Sequence, residues 1–196
     1  LQAVRAHGMK LLMDGSEPVS GRWNYDADNR KGFGAKGPGR VPEVPAFAPD
    51  AITREAIADV ARAYPGHPGS LAAFAWPVTR RDALRALDAF VRERLPAFGP
   101  TQDAMWNGMT VGWHSMLSAA LNLKLLDPRE VIAAAEAEYR AGRAGLGSVE
   151  GFVRQVLGWR EFVRGVYWRE MPGLASANFF GHDRALPAWF WTGETE

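Results

Sequence analysis

After Pro49 the apolar residues of this chain recur at intervals of three and four, and no segment alternates apolar with polar as a half-buried strand would. A period near 3.6 puts those residues on one face of a helix, so the class it predicts is all-α. Residues 52–64 carry Ile52, Ile57 and Val60 up to the break at Tyr64-Pro65. Thr79 with Asp82 resembles a capping box ahead of Leu84, Leu87, Phe90, Val91 and Leu95, and Pro96 is expected to stop that helix. Another helix is expected at about 113–126. Asp127-Pro128-Arg129-Glu130 is a strong start signal, because Asp caps, Pro suits the first helical position and Glu reaches back. Val131, Ile132, Ala135 and Tyr139 then face inward, with Gly142 as the expected end. Ser148 is expected to cap the next helix, whose inward residues are Val149, Phe152, Val153, Val156, Leu157, Val163 and Val166. A last helical stretch is expected over roughly 174–191.

The other end of the chain reads differently. Residues 1–13 resemble the close of a preceding unit, and 14–50 are rich in Gly, Pro and charge without apolar periodicity. Connections of that length are linkers or functional loops, so 14–50 reads as a linker anchored through Trp23, Tyr25 and Phe33, with the helical unit over 51–196. Within it Gly32-Phe33-Gly34-Ala35-Lys36-Gly37 matches the dinucleotide fingerprint letter for letter. That fingerprint works only between a strand and a helix, and here Asn-Arg-Lys precedes it while Pro38, Pro42 and Pro45 come after, which favours a flexible linker. A start at Leu1 instead of Met, and an end at Trp-Thr-Gly-Glu-Thr-Glu, lead us to expect a segment of a longer protein.

Charge and composition exclude several chemistries. Lys and Arg number 23 against 22 acids, a net charge of +1, so any nucleic-acid contact must come from a local patch rather than a general field. The short basic run Arg30, Lys31, Lys36 and Arg40 reads by itself as a solvated face. With no cysteine there is neither a disulfide framework nor thiolate ligation of a metal, and a reducing, cytoplasmic setting is expected. His7, His67, His114 and His182 are scattered without metal-ligand spacing, so no metal site is expected. No GxSxG elbow marks serine hydrolysis, and neither a membrane span nor a signal-peptide core is present. Eight tryptophans in 196 residues point to large buried or interface areas.

Three stretches carry the functional reading. In His114-Ser115-Met116-Leu117-Ser118, two hydroxyls three apart at a helix start would share one face, where free N–H groups favour a phosphate. Locally, Ser115 as a simple cap explains the same residues. In the helix around Glu150-Gly151-Phe152, the residues Phe152, Gln155 and Trp159 fall at i, i+3 and i+7, an aromatic-amide face able to stack a ring and bind a base edge; a core helix explains it equally. Trp23-Asn24-Tyr25-Asp26-Ala27-Asp28-Asn29-Arg30 reads locally as an Asx-rich turn pinned by two aromatics.

Taken in order, these stretches resemble the photolyase and cryptochrome family. Ser-x-Leu-Ser with Leu-x-Pro-Arg after a short helix is similar to its flavin-binding signature, and Trp159-Arg160-Glu161-Phe162 to its second signature. The Trp-Asn-Tyr-Asp-x-x-Asn-Arg stretch and the Gly-Trp-Arg-Glu-Phe variant resemble the bacterial iron–sulfur branch, whose members repair (6-4) photoproducts or act as cryptochrome-like photoreceptors. The resemblance implies the N-terminal portion of an all-α, helical FAD-binding domain, preceded by a long linker and by the end of an α/β antenna domain at 1–13. It implies FAD held by His114, Ser115, Leu117, Ser118, Phe152, Gln155 and Arg160, and UV-damaged DNA met by Gln155, Trp159 and Arg160. Trp191 corresponds to a tryptophan that passes electrons toward the flavin. A 4Fe-4S cluster and an antenna chromophore are implied only for a full-length, monomeric parent, whose cluster cysteines would lie beyond Glu196. Two departures stand out: Lys124 where many members carry Gly, and Thr101 where a Tyr is expected. The competing expectations are a photoreceptor that uses the same FAD site without repair, and a helical scaffold whose aromatics only pack.

Overall fold

The computed structural model describes residues 12–194, so the expected end of a preceding domain at 1–13 falls almost wholly outside the described residues. About half of the described residues are helical, with only one short strand pair beside them, and the described chain divides into two units. The first holds the described residues up to Phe47 together with Trp76–Val163, and the second holds Ala48–Ala75 with the residues from Arg164 onward.

Among the described residues the elements are, in chain order, two short strands, β1 (Met13–Asp14) and β2 (Glu17–Pro18), and eight α-helices. The helices are α1 (Ala51–Ala63), α2 (Arg80–Ala89), α3 (Leu95–Thr101), α4 (Ser118–Asn122), α5 (Pro128–Arg140), α6 (Leu146–Val153), α7 (Trp159–Glu170) and α8 (Trp189–Thr192). The strands form one antiparallel hairpin, Met13 opposite Pro18 and Asp14 opposite Glu17, a feature the helical reading did not include.

The start signals act as their chemistry dictates. Asp127 accepts the Arg129 N–H at 2.7 Å while the Glu130 carboxylate accepts the Asp127 N–H at 2.7 Å, completing the reciprocal cap. Thr79 Oγ1 accepts the Asp82 N–H at 3.1 Å and donates to the Asp82 carboxylate at 2.8 Å. Helix α5 ends where Gly142 takes φ +71°, with the Gly142 and Arg143 N–H groups closing on the carbonyls of Tyr139 and Glu138.

Pro96 does not stop the second helix: a π turn over Phe90–Arg94 hands it to α3, and the Leu95 N–H bonds the Phe90 carbonyl. Pro96 then sits in the first turn of α3, directly after the π turn. The helix expected at 113–126 shrinks to α4, because Met116 (φ +57°) and Lys124 (φ +61°) are left-handed at either side of it. Ser148 does not cap α6, which begins two residues earlier behind Gly145. It is buried instead, its hydroxyl accepting the Gly99 N–H at 3.0 Å and donating to the Pro96 carbonyl at 3.1 Å.

The core of the first unit gathers Phe90, Leu95, Phe98, Leu117, Val131, Ile132, Val149 and Phe152, with α3 laid against α6. Phe90, Phe98 and Phe152 form an aromatic cluster, their centroids 4.7–6.3 Å apart. A second π turn, Arg154–Gly158, joins α6 to α7. Helix α7 buries none of its residues, so Val163, expected inside, is 60% exposed.

Segment 14–50 is irregular but tied down. Phe33 lies 5.6 Å from Trp113 and 6.4 Å from Trp106, and Asn24 accepts the Asp26 N–H at 2.7 Å, the Asx turn its composition suggests. Trp23, expected as an anchor, stays exposed. Asn29 is buried and donates to the Gly147 carbonyl at 2.8 Å. The Arg94 guanidinium, fully buried, donates to the Glu43 carbonyl at 2.9 Å, and burial holds its pKa below the usual arginine value.

In the second unit, Asp50 caps α1 by accepting the Thr53 N–H at 2.8 Å. The helix expected at 174–191 is absent: a 3₁₀ turn at Gly173–Ser176, a turn closed between Asn178 and His182, and α8 take its place. Gly181 at φ +63° and Pro187 interrupt any continuous helix there. Among the described residues no helix is long and apolar enough to cross a membrane.

Candidate functional site

A cleft of about 490 Å³ opens in the first unit between the α4 turn and the α6–α7 junction. One wall is the turn at Ser115, Met116, Leu117 and Ser118, and the other is formed by Phe152, Gln155, Val156 and Arg160. The volume falls within the range of small-molecule sites.

The first wall is shaped by backbone more than by helix periodicity. Met116 is left-handed and Ser115 precedes the helix, so the two hydroxyls do not share a helical face as expected. The reversal at Met116 nonetheless turns Ser115 and Ser118 onto one cleft. Ser115 Oγ accepts the Leu117 N–H at 3.4 Å, a local turn bond rather than the expected helix cap, and Leu117 itself is buried against the core. His114 stands edge-on to the Phe98 ring, 5.9 Å between centroids.

The second wall owes its composition to the π turn. With an extra residue in that turn, positions five apart come onto one face, and Gln155 and Arg160 both line the cleft. Arg160 Nη1 donates to the Gln155 carbonyl at 2.9 Å, which holds the guanidinium beside it. Trp159 is rotated away: it is 58% exposed, lies outside the cleft lining and meets the Phe162 ring edge-on at 6.0 Å. Phe152 serves both purposes, lining the cleft and closing the aromatic core. Trp191 is in the second unit, on α8, and is 73% exposed.

Behind the second wall the Asp26–Arg154–Glu150 ion pairs fix where the α6 face points. Arg154 contacts Asp26 at 2.8 Å and Glu150 at 3.2 Å, while Asp26 also pairs with Arg30. Burial alone would lower the Arg154 pKa, but the hydrogen bond to Asp26 and the charges of Glu150 and Asp26 outweigh it and hold it above its usual value. Hydrogen bonds from Arg154 and Arg30 hold the Asp26 carboxyl below the usual carboxylate range.

Sequence reasoning missed Gln102 and Asp103, which line the cleft at the end of α3. Neither belongs to a motif, and only the packing of α3 on α6 brings them to the site. The lining offers two hydroxyls and a guanidinium to an anionic group and an aromatic and aliphatic wall to a ring.

Comparison with known proteins bears out the resemblance to photolyases. Residues 4–76 match the family described as deoxyribodipyrimidine photo-lyase-related protein. The chain is 49% identical over 189 residues to a (6-4) photolyase of Agrobacterium fabrum, covering 94% of this chain and 36% of that relative. It is 33% identical over 84 residues to an uncharacterized protein of Acanthamoeba polyphaga mimivirus, covering 42% of this chain and 64% of that one. The chain thus spans about a third of the length of the (6-4) photolyase it matches.

Proposed function

We propose that this photolyase-related chain supplies the first two walls of the flavin cavity of a light-driven DNA photolyase acting on (6-4) photoproducts. The supporting observation is the convergence of the Ser115–Ser118 turn and the helix bearing Gln155 and Arg160 on one cleft. Reduced FAD, when bound, would lend the lesion an electron on photoexcitation and take it back once the lesion bonds have rearranged.

The chain's own residues position and shield. Ser115, Ser118 and Arg160 hold the phosphates through hydroxyl and charge-assisted hydrogen bonds. His114, Leu117 and Phe152 exclude water along the ring, and Gln155 offers its amide to the flavin or the flipped base. A damaged base leaves the stack at low cost because its pairing is already weak. In this reading Trp159, whose ring is exposed, and Arg160 meet it. The resemblance gives Trp191, which is in the second unit, the role that an electron-relay tryptophan would have in the full-length protein. The iron–sulfur cluster and antenna chromophore belong, in this reading, to segments of the full-length protein outside this chain. The 49% identity to a (6-4) photolyase favours repair over photoreception without repair.

The test is blue-light turnover of an oligonucleotide carrying one (6-4) photoproduct by the full-length protein. Light-dependent restoration with bound, absorbing flavin is expected. Flavin binding without repair would favour a photoreceptor, and protein free of flavin would end both readings.

A further inference from the structure

Between Asp28 and Glu43 the chain carries four cations, Arg30, Lys31, Lys36 and Arg40, and no acid. With a net charge of only +1, any polyanion has to be met by a local stretch of this kind. Spacing alone reads it as a solvated face, but the fold pins it in place. Phe33 lies 5.6 Å from Trp113 and 6.4 Å from Trp106, and a methyl added at Gly37 would lie 2.9 Å from the Trp106 ring. The Lys31 N–H bonds the Pro100 carbonyl at 3.1 Å. Two of these anchors adjoin cleft-lining residues: Trp113 directly precedes His114, and Pro100 stands just before Gln102 and Asp103.

The four cations are not equivalent. Arg30 is paired with Asp26, and Arg40 shares a groove with Glu43 and Glu93. Lys31 and Lys36 are exposed, and neither side chain has a hydrogen-bond or ion-pair partner among the described residues. Gly32 and Gly34 between them face open space, so a run of phosphates can approach the backbone there. We propose that the pinned loop at 30–37 is a docking surface for the sugar–phosphate backbone of duplex DNA, with Lys31 and Lys36 meeting phosphates at the rim of the cleft. The inference rests on the photolyase reading and adds to it a contact surface outside the cleft. A loop already held by Phe33 has less freedom to lose on binding than a free basic tail has. Lysines on phosphates supply affinity and register without reading bases, so the loop strengthens binding to damaged and undamaged duplex alike.

The experiment titrates full-length protein with a duplex carrying one (6-4) photoproduct and with its undamaged counterpart, over a series of salt concentrations. The unsubstituted protein is compared with the double variants Lys31→Ala, Lys36→Ala and Lys31→Arg, Lys36→Arg. The alanine pair should weaken both duplexes by a similar factor, about tenfold at low salt, and make the slope of log affinity against log salt shallower by about two. The arginine pair should keep both affinity and slope. Bound flavin and melting temperature should match the parent in every variant, because both side chains are exposed. The parent's affinity and salt slope in the alanine pair would overturn the proposal. So would a loss confined to the lesion-bearing duplex, or a loss of flavin, since either would move the lysines into the cleft. An unsubstituted protein that binds neither duplex would sink the photolyase reading together with the proposal, whereas DNA binding without light-driven repair would sink that reading alone.

Discussion

Asn29 donates through Nδ2 to the carbonyl of Gly147 at 2.8 Å, across 118 positions of sequence. The contact exists because three glycines, Gly99, Gly147 and Gly151, clear a space for one buried carboxamide: methyl groups added to them would lie 2.7, 3.1 and 2.9 Å from Asn29 atoms. The irregular N-terminal segment is thereby keyed into the α3–α6 contact that carries Gln102 on one side and Phe152 on the other.

Gly99→Ala tests that keying. In a free helix the change would stabilise by about 1 kcal/mol. Here the new methyl would meet both Asn29 Oδ1 and Ser148 Cα at 2.7 Å, and the latter is backbone that cannot swing aside. The expected result is destabilisation of about 1–3 kcal/mol by denaturant titration. A variant more stable than the parent would show that α3 and α6 have room to part.

Lys124→Gly should go the other way. Lys124 takes φ +61° just past α4, and its N–H and that of Leu125 close on the carbonyls of Leu121 and Ala120. That is a left-handed helix stop, the conformation glycine adopts without a Cβ penalty. Many relatives of photolyase type are expected to carry Gly at this position, and the strain at Lys124 gives the physical reason. The substitution is expected to stabilise by about 0.5–1 kcal/mol, read as a higher melting temperature. An unchanged or lower value would mean that the lysine contributes something its backbone hides.

Acid should weaken the first unit through its paired carboxylates. Glu138 is buried and receives Arg143 at 2.7 and 2.8 Å; that hydrogen bond, opposed by burial, holds its carboxyl below the ordinary glutamate value of 4.5. Glu130 is lowered first by Arg80, and Asp82 first by Thr79. Each carboxyl binds its proton more weakly when folded than when unfolded. Its contribution is therefore complete above the unfolded value and fades as pH falls through the folded one. Melting temperatures should be flat near neutrality and decline below about pH 4.5. Glu138→Gln should lower the neutral plateau and flatten part of that decline; a variant with the parent's full acid slope would assign the effect elsewhere.

Ser118→Ala separates a ligand role from a structural one. The side chain is exposed at the start of α4 and lines the cleft, so the unliganded fold should not notice its loss. If the hydroxyl meets a flavin phosphate, FAD retention in the full-length protein should fall by about tenfold, the worth of one hydrogen bond to a charged group. Equal flavin occupancy after purification would remove Ser118 from the site.

How far sequence alone reaches depends on where each signal resides. Asp127 and Glu130 announce α5 because a cap is a local arrangement among four residues. Gly142 ends it for an equally local reason. Pro96 misled because a π turn, invisible to a 3.6-residue periodicity, carries the chain past it. The other π turn, at Arg154–Gly158, explains why Phe152 and Gln155 reached the cleft wall while Trp159 did not. The Ser115–Ser118 turn was found for a reason only partly right, since its shared direction comes from left-handed Met116 and not from a helix face. Gln102, Asp103 and the burial of Ser148 depend on tertiary packing of α3 against α6, which no local pattern encodes.

Trp159→Ala bears on whether the cleft serves damaged DNA. Its ring is 58% exposed and packs only edge-on against Phe162, so truncation should cost the fold little. It also lies outside the cleft lining, so flavin affinity should hardly change. A flipped pyrimidine lesion stacked on that indole would lose about 1–3 kcal/mol on truncation, roughly tenfold or more in affinity. The measurement is a gel-shift titration of full-length protein with lesion-bearing and undamaged duplexes, run beside a flavin titration. Lower affinity for both duplexes alike would make Trp159 a general backbone contact. A loss of flavin instead would make it a cofactor wall, and no change in either would return it to the protein surface as an aromatic without a role in recognition.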